Sequence, residues 1–253
     1  MEENLSSRAN VRRWFQTIWG VFGVSFGIIA LIFLIYFGVL FFKYWSAIKS
    51  GQGDFLFDQI YGGFSSASVN QQDADIRRED IETADDPFLG NPNAEIVIVE
   101  FVDFKCPNCR AAAPIMKKVL QKYGNKVKLI IRDFPVESTH PGASQIAEIA
   151  NCSLEQGLYW IAHDWFYDNQ DRILNSLSFN EIKQVSEEIG LNYEKLSICM
   201  RQPLVKSEIN RDFADGYKAG VGGTPTFFVN GKKAQGVVPF EVWINFLENY
   251  QKK

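Results

Sequence analysis

Two cysteines in the segment FKCPNCR, residues 104–110, have the types and spacing that most directly suggest chemistry. Cys106 and Cys109, two residues apart, can form a redox-active disulfide or supply half of a zinc site. A zinc site needs a second ligand pair at comparable spacing. The other cysteines and histidines stand singly: Cys152, Cys199, His140 and His163. No metal site is therefore predicted. Both histidines are expected to be structural, one at a helix start and one among aromatic residues.

The residues around this motif predict that it joins a strand to a helix. AEIVIVEFVDF, residues 94–104, is rich in Val, Ile and Phe, as buried strands are. The segment RAAAPIMKKVLQKYG then predicts a helix kinked by Pro114 and closed by Gly124. At such a junction, helix N–H groups and the helix dipole stabilise a Cys106 thiolate. The sequence thus favours a redox pair in which Cys106 is the exposed sulfur and Cys109 the resolving thiol.

A second candidate feature is GGTPTFFVNGK, residues 222–232. Pro225 stands just before a predicted strand, where proline normally interrupts pairing. A cis Thr224–Pro225 bond in a tight turn is one way to place it there, and an ordinary trans-proline loop is the alternative. We expect the cis form because the cysteines are present. Beside a disulfide, this turn would offer the backbone of Thr224 to an extended peptide substrate.

The remaining patterns from about residue 86 predict an α/β domain interrupted by helices. KVKLIIRDFP, residues 126–135, predicts a second strand, and TPTFFVNGKKAQGVV, residues 224–238, predicts a hairpin that turns at Asn-Gly. An amphipathic helix closes the chain. Residues 140–220 have helical periodicity throughout. Without this helical block, a sheet with flanking helices remains.

The N-terminal part predicts a membrane-spanning helix over residues 14–45. There is no charged residue from Ile18 to Phe42, and about 25 residues at 1.5 Å each span the roughly 30 Å hydrocarbon core. A cleaved signal peptide has a shorter apolar stretch, about 7 to 15 residues, and a small-residue cleavage site. A buried core helix does not need apolar residues on every face. We therefore predict an uncleaved signal anchor.

Charge predicts the orientation of this helix and restricts the function. Five basic residues flank it: Arg8, Arg12 and Arg13 before it, Lys43 and Lys49 after it. The arginines favour a cytoplasmic N-terminus, residues 1–13, with the rest of the chain outside. Residues 50–253 carry 21 basic and 28 acidic residues, a net charge of −7, which gives no support to nucleic-acid binding. All four cysteines lie in this part, and an even number outside the membrane favours disulfides.

Residues 46–85 are predicted to form a linker. From residue 50 onward the segment lacks sustained periodicity and is rich in Gly, Ser, Gln and Asp. Within it, FLFDQIYGGF, residues 55–64, is unusually aromatic. This aromatic segment is expected to lie on the membrane surface or pack on the domain, with docking of a partner as the alternative.

Taken together, the motifs strongly resemble the DsbA-like thiol-disulfide oxidoreductases of the thioredoxin superfamily. The matching segments are DDPFLGNPNAEIVIVEFVDFKCPNC, RDFP, HPGASQIAEIANCSLEQGLYWIAHDWFYDNQ and GVGGTPTFFVNG, which cover most of residues 85–250. The resemblance implies an α/β, thioredoxin-like fold over residues 86–253, with a helical insertion at about 137–205. It also implies Cys106 as nucleophile, Cys109 as resolving cysteine and Pro225 in cis after Thr224.

The resemblance extends to three further residues. Glu100, six residues before Cys106, matches an acidic position that lies beneath the disulfide in the family and can assist proton transfer; a strand-end carboxylate without function is the alternative. Paired cysteines like Cys152 and Cys199 occur in some members, so we predict a structural disulfide between them. It would close a loop of nearly 50 residues, nominally worth about 4 kcal/mol. Two separate buried thiols are the alternative.

The sequence departs from the family pattern at two positions. Pro107 and Asn108 stand between the cysteines, where the best-studied oxidases have a histidine that stabilises the thiolate. Asparagine donates a hydrogen bond but carries no charge, so a very oxidising potential does not follow. Thr224, before the proline, also occurs in isomerase-type members. The direction of the reaction is therefore not fixed by these residues.

The predicted function is that of a membrane-tethered enzyme outside the cytoplasm that introduces disulfides into reduced exported proteins through Cys106 and Cys109. The resemblance implies recycling by a membrane redox partner of the DsbB or vitamin-K-epoxide-reductase type, and no dissociable cofactor. A reductase or isomerase of the same fold is the first alternative and would require the pair to be kept reduced. A non-catalytic binding or scaffold protein is the second.

Overall fold

The computed structural model of this chain describes residues 18–49 and 76–250, and the chain divides into two compact units, residues 1–57 and 58–253. In the first unit, helix α1 (Ile18–Lys49) is long and apolar enough to cross a membrane. Its Ser25–Phe42 stretch has a mean hydropathy of 2.6, and none of that stretch is buried. The helix continues past the predicted end at residue 45, while residues 14–17 and the aromatic segment 55–64 lie outside the described residues.

The second unit contains a sheet and the helices packed against it. Its elements follow in this order: α2 (Arg78–Ile81), β1 (Phe88–Gly90), β2 (Ile96–Val102), α3 (Pro107–Tyr123), β3 (Val127–Asp133), α4 (Ala143–Leu154), α5 (Tyr159–Asp168), a 3-10 turn (Gln170–Arg172), α6 (Phe179–Ile189), α7 (Tyr193–Met200), α8 (Pro203–Lys218), β4 (Thr226–Val229), β5 (Lys232–Gln235) and α9 (Phe240–Tyr250). The predicted order of strands and helices is therefore present, with two additions, α2 and β1.

The five strands form one mixed sheet in the order β1-β3-β2-β4-β5. Strands β2 and β3 are parallel, and every other neighbouring pair is antiparallel. The connection between the parallel strands is helix α3, as parallel pairing requires a crossover. The β4–β5 hairpin turns at Asn230 and Gly231, whose φ angles of 47° and 88° are the left-handed values that this dipeptide adopts readily.

Strand β2 separates two hydrophobic cores because its alternate side chains point to opposite faces. Ile96, Ile98 and Val102 pack with α3, α9 and the inserted helices. The other face, which includes Val97 and Phe101, packs with Ile81 of α2. It also packs with Ala219 and Val221, which follow α8. All seven residues of β2 are buried, as its sequence predicts, and the strand lies at the centre of the sheet.

Helices α4 to α7 and the 3-10 turn lie between residues 143 and 200, within the predicted insertion. A disulfide joins Cys152 in α4 to Cys199 in α7, with an S–S distance of 2.08 Å and a Cα–Cα distance of 5.7 Å. Both cysteines are buried in the core that α3 shares with these helices. Helix α8, in contrast, contacts β3 as well as α4, so the predicted end of the insertion near residue 205 falls in its first turn.

The structure describes only the last ten residues of the predicted linker, and these pack on the domain. These residues, 76–85, include helix α2, whose Ile81 is 1% exposed and packs in the second core. Arg211 also pairs with Asp85 at 2.7 Å. A four-residue helix and the three-residue strand Phe88–Gly90 are too short to show a periodic pattern, which is why the sequence did not indicate them.

A buried arginine holds this entering segment against the sheet. The guanidinium of Arg132 on β3, which is fully buried, donates to the Ile81 carbonyl at 3.2 Å and lies 3.3 Å from Asp86. It also donates to Asp212 at 3.0 Å and to Asp215 at 3.1 Å, both on α8. Burial and the charge of Asp212 raise the pKa of Asp86 to about 7. One cation thus joins the entry segment, the sheet and α8.

We expect Arg132→Met to lower the free energy of unfolding by about 3–5 kcal/mol, because the buried carboxylates lose their counter-charge. Urea denaturation of the full chain in detergent, followed by tryptophan fluorescence, measures this. Adding Asp212→Asn should recover part of the loss. The control is Lys117→Met, which breaks the exposed 3.1 Å pair with Asp164 and should cost less than about 1 kcal/mol. Equal effects in the two single variants would contradict the assignment.

Candidate active site

The two cysteines lie where β2 gives way to α3. Cys106 is the N-cap residue of α3, with an extended backbone, and Pro107 fills the first helical position, where no N–H is needed. The Cys106 N–H donates to the Asp103 carbonyl at 3.0 Å, which closes the turn formed by residues 103–106, the active-site turn. The sulfur therefore lies at the N-terminus of the helix, as the sequence predicts. Cys106 is only 6% exposed, so the prediction of an exposed sulfur is wrong for this state of the pair; Cys109, one turn further in, is 0% exposed.

The neighbouring strand brings a cis-proline to the same place. The Thr224–Pro225 bond is cis, and the Cys106 sulfur lies 3.3 Å from the Thr224 carbonyl oxygen. The turn is held by the Thr226 hydroxyl, which donates to the Gly223 carbonyl at 2.7 Å. Residues that are 118 positions apart thus form one site.

The electrostatic environments of the two thiols differ. A hydrogen bond from the Cys109 thiol, together with donors from the Thr224 side chain and the Cys109 and Asn108 backbones, lowers the pKa of Cys106 to about 5 against the effect of burial. Burial, and then the hydrogen bond and charge of Cys106, raise the pKa of Cys109 well above that of an ordinary thiol. Both cysteines are free thiols, so the structure represents the reduced pair. At pH 7 the reduced pair therefore consists of a reactive Cys106 thiolate and a buried, protonated Cys109 thiol.

Glu100 lies on the same face of β2 as Ile98 and Val102, beneath α3. It is 4% exposed, and burial raises its pKa to about 8. Its charge acts on Cys109, whose pKa it raises. A carboxyl group among apolar side chains that is neutral near pH 7 can hold a proton close to the inner sulfur.

Asp103 anchors the active-site turn from below, a role that the sequence did not indicate. Its carboxylate accepts from the Lys105 N–H at 2.8 Å and from the Val136 N–H at 2.9 Å. His140 Nδ1 lies 2.8 Å from the same carboxylate. His140 thus ties the turn to the start of the insertion, in agreement with the structural role expected of it. The sequence shows only an acidic residue at the end of a buried strand, and such a residue can have many roles.

The helical insertion covers one side of the motif. Phe104 packs against Phe166 and Tyr167 at ring distances of 5.8 and 5.3 Å, and His163 lies against the same ring at 5.9 Å. His163 thus sits in an aromatic cluster, as expected. The Tyr167 hydroxyl is buried and has no hydrogen-bond partner among the described residues. In the described part of the chain, no group of three or more His, Cys, Asp or Glu side chains is placed to hold a metal ion.

A Cys-x-x-Cys helix that follows a central parallel strand and faces a cis-proline on the next strand defines the fold used for thiol-disulfide exchange. Residues 82–249, about two thirds of the chain, match the family Thioredoxin_4, described as thioredoxin. The chain belongs to this family. The predicted thioredoxin-like fold with inserted helices, preceded by an apolar N-terminal helix, is confirmed.

Solved structures with the same fold include an oxidoreductase and a thiol-disulfide exchange protein. A thioredoxin-like oxidoreductase from Silicibacter pomeroyi has 26% identity and a TM-score of 0.61, covering 70% of this chain and 99% of that one. The exchange protein alpha-DsbA2 from Wolbachia pipientis has 21% identity and a TM-score of 0.60, covering 68% and 91%. BdbD from Bacillus subtilis, at 20% identity and a TM-score of 0.58, covers 67% and 94%.

Curated relatives carry a similar sequence as part of a larger protein. The Na(+)/H(+) antiporter NhaA 3 of Salinispora tropica is 30% identical over 151 residues, which is 60% of this chain and 22% of the antiporter. NhaA of Herminiimonas arsenicoxydans is 27% identical over 151 residues, 60% of this chain and 23% of that protein. The chain thus spans less than a quarter of the length of these two relatives.

We expect the 240 nm absorbance of the reduced full chain to rise with a midpoint near pH 5 as Cys106 ionises. Because this pKa lies below the ordinary thiol value of 9.0, the thiolate stabilises the reduced fold fully above pH 9, and this stabilisation is lost as the pH falls to about 5. Cys106→Ser should abolish the step. Cys109→Ala should move it to higher pH because a donor is lost. A wild-type midpoint near pH 9 would show that the site does not activate Cys106.

Proposed function

We propose that this protein is a membrane-tethered thiol-disulfide oxidoreductase that acts outside the cytoplasm and introduces disulfides into reduced exported proteins. The observation that carries the proposal is the position of the Cys106 sulfur, at the N-terminus of α3 and 3.3 Å from the Thr224 carbonyl. A substrate in extended conformation can pair with the backbone of Thr224, as peptides do at exposed strand edges. Its cysteine then lies beside the Cys106 sulfur. Pro225 in cis holds this backbone in place.

The tether in this proposal is helix α1. Its apolar Ser25–Phe42 stretch supports a single membrane span, and the arginines before it favour a cytoplasmic N-terminus over residues 1–13. Residues 14–45 then form the anchor, residues 46–85 the linker and residues 86–253 the catalytic domain. A periplasmic thioredoxin-like protein from Salmonella enterica shares the fold, with a TM-score of 0.57 and 19% identity, covering 70% of this chain and 95% of that one.

The first step of the reaction is attack by a substrate thiolate on Cys106 in the oxidised pair. A substrate–Cys106 bond forms, the Cys106–Cys109 bond breaks, and Cys109 leaves with the electron pair. The burial of Cys109 directs the attack to Cys106, since Cys106 keeps 6% exposure and Cys109 has none. The product is a mixed disulfide between substrate and enzyme.

The second step releases the oxidised substrate. A second substrate thiolate attacks the substrate sulfur of the mixed disulfide, and Cys106 leaves as a thiolate. A thiol of low pKa is a good leaving group, so the environment of Cys106 favours this release. In total, two electrons pass from the substrate dithiol to the enzyme; one proton ends on Cys109 and the other is released to solvent, because Cys106 stays a thiolate. A membrane partner of the DsbB or vitamin-K-epoxide-reductase type would accept these electrons and restore the Cys106–Cys109 disulfide.

Glu100 has a distinct place in this sequence of steps. Since its pKa is raised to about 8, the carboxyl group is mostly protonated at pH 7. It can then donate a proton to the Cys109 sulfur as the disulfide opens, directly or through water. Above pH 8 the carboxylate instead opposes a negative charge on Cys109. The proposal therefore gives Glu100 the part of a proton donor.

The reduction potential of the Cys106–Cys109 pair tests the direction of the reaction. We expect a reduction potential of about −120 mV, as in strong oxidases, because the reduced form is stabilised by the Cys106 thiolate. The full chain in detergent is equilibrated in glutathione buffers, and the Cys152–Cys199 pair is followed separately by mass. A reduction potential of about −270 mV would favour a reductase.

Cys106→Ser separates an enzyme from a binding protein. It should abolish the oxidation of a reduced protein substrate, because no mixed disulfide can form at serine. The matched control is a double Cys152→Ala, Cys199→Ala variant, which removes the same number of disulfides but leaves the reactive pair. A wild-type chain that fails to cycle between its two redox states would refute the enzymatic proposal as a whole.

Glu100→Gln tests the proton donor. At pH 7 we expect the rate of disulfide transfer to substrate to fall about tenfold or more, since general acid catalysis commonly contributes that much. The break in the pH–rate profile near pH 8 should also disappear. Glu148→Gln is the control, because Glu148 in α4 also has a pKa raised by burial but lies in an ion pair with Lys206 at 3.8 Å. An unchanged profile in Glu100→Gln would show that Glu100 does not donate the proton.

A further inference from the structure

The 3-10 turn after α5 reaches from the helical insertion to the backbone of the active-site turn. The side-chain amide of Gln170 donates to the Phe104 carbonyl at 2.8 Å and to the Cys106 carbonyl at 3.0 Å. The side chain is partly buried between the two parts of the domain. One amide group therefore satisfies two carbonyls on either side of Lys105.

These two carbonyls determine how the helix begins. The Cys106 carbonyl also accepts the Arg110 N–H at 3.1 Å, which is the first hydrogen bond of α3. The N–H groups of Asn108 and Cys109 in the same turn stabilise the Cys106 sulfur. A donor that fixes the Phe104 and Cys106 peptide planes thus fixes the direction in which these N–H groups point. It also offsets the negative ends of two carbonyl dipoles close to the thiolate.

Two other contacts between the insertion and the motif are made by side chains of the motif and not by its backbone carbonyls. The Lys105 ammonium donates to the Leu174 carbonyl at 3.1 Å and to the Pro141 carbonyl. Arg110 pairs with Asp171 at 2.9 Å, and Asp171 is largely exposed. Both involve flexible charged side chains, which are screened by solvent. The Gln170 contact differs because it is neutral, partly buried and made to the main chain of the turn itself.

We propose that Gln170 is a positioning residue of the redox site, which holds the active-site turn so that the N-terminus of α3 stabilises the Cys106 thiolate. The inference rests on the proposed function, since it concerns the sulfur that exchanges disulfides, and it adds a residue from the insertion to the redox site. The insertion then contributes to the oxidising strength of the pair as well as covering it. Gln170 touches no substrate in this account and acts only through the turn.

Two substitutions of similar shape test the role of the amide. Gln170→Met removes the donor and keeps the size of the side chain, while Gln170→Glu replaces the donor with an acceptor that faces two carbonyls. We expect the midpoint of the 240 nm titration of Cys106 to rise by about half a pH unit or more in Gln170→Met and further in Gln170→Glu. The equilibrium constant for oxidation of glutathione by the Cys106–Cys109 pair should fall about three- to tenfold in Gln170→Met. All measurements use the full chain in detergent.

Gln156→Met is the matched control. Gln156 makes a comparable double contact within the insertion, donating to the Asn192 carbonyl at 3.4 Å and accepting from the Asn192 N–H at 2.8 Å. It should lower stability without moving the titration or the equilibrium constant. If Gln170→Met leaves both quantities at their wild-type values, or if Gln156→Met shifts them equally, Gln170 is only a structural link and the proposal is wrong.

The readout also separates this inference from the proposed function. The titration is performed on the resting reduced protein and needs no substrate. If the variants shift as expected but the wild-type chain oxidises no substrate, the proposed function fails and the role of Gln170 stands. If the wild type oxidises substrate and the variants titrate unchanged, the reverse holds.

Discussion

The site depends on the pairing of β2 with β4. This antiparallel pair places Phe101 opposite Thr226, and through that register the end of β2 and the beginning of β4 meet at one edge of the sheet. Cys106 follows the first strand and Pro225 precedes the second, so a sulfur and a backbone carbonyl far apart in sequence come within hydrogen-bonding distance. Both strands are fully buried, which makes a slip of register costly because each side chain would move to the opposite face.

Around this fixed edge, the fold creates a difference between two chemically identical side chains. The outer sulfur meets hydrogen-bond donors and the N-terminus of a helix, whereas the inner one is enclosed by apolar groups, a second sulfur and Glu100. On the other side of the sheet, a buried charge is likewise stabilised by the groups around it. There, Arg132 is tolerated in the interior because Asp86, Asp212 and Asp215 surround it.

Local patterns in the sequence predicted the parts of this structure that are encoded locally. The strand before CPNC, the hairpin at Asn230–Gly231 and the apolar run of α1 each have a signal within a few neighbouring residues. The cis Thr224–Pro225 bond was inferred from a proline at a strand start and from the family resemblance. The contacts of Arg132, Asp103 and Gln170 could not be inferred, since their long-range partners lie between 33 and 83 positions away. A glutamine in a helical segment gives no sign that its amide meets two carbonyls.

The enclosure of Cys109 has a kinetic meaning in the proposed reaction. Every covalent complex is joined through Cys106, and the thiol able to cut it from within lies where neither the partner nor a small thiol from solution can reach it directly. In the proposed reaction, a mixed disulfide whose substrate offers no second cysteine is resolved by attack of Cys109 on Cys106, and the substrate leaves in its reduced form. The rate of this internal attack, which the burial of Cys109 controls, therefore limits the lifetime of unproductive complexes.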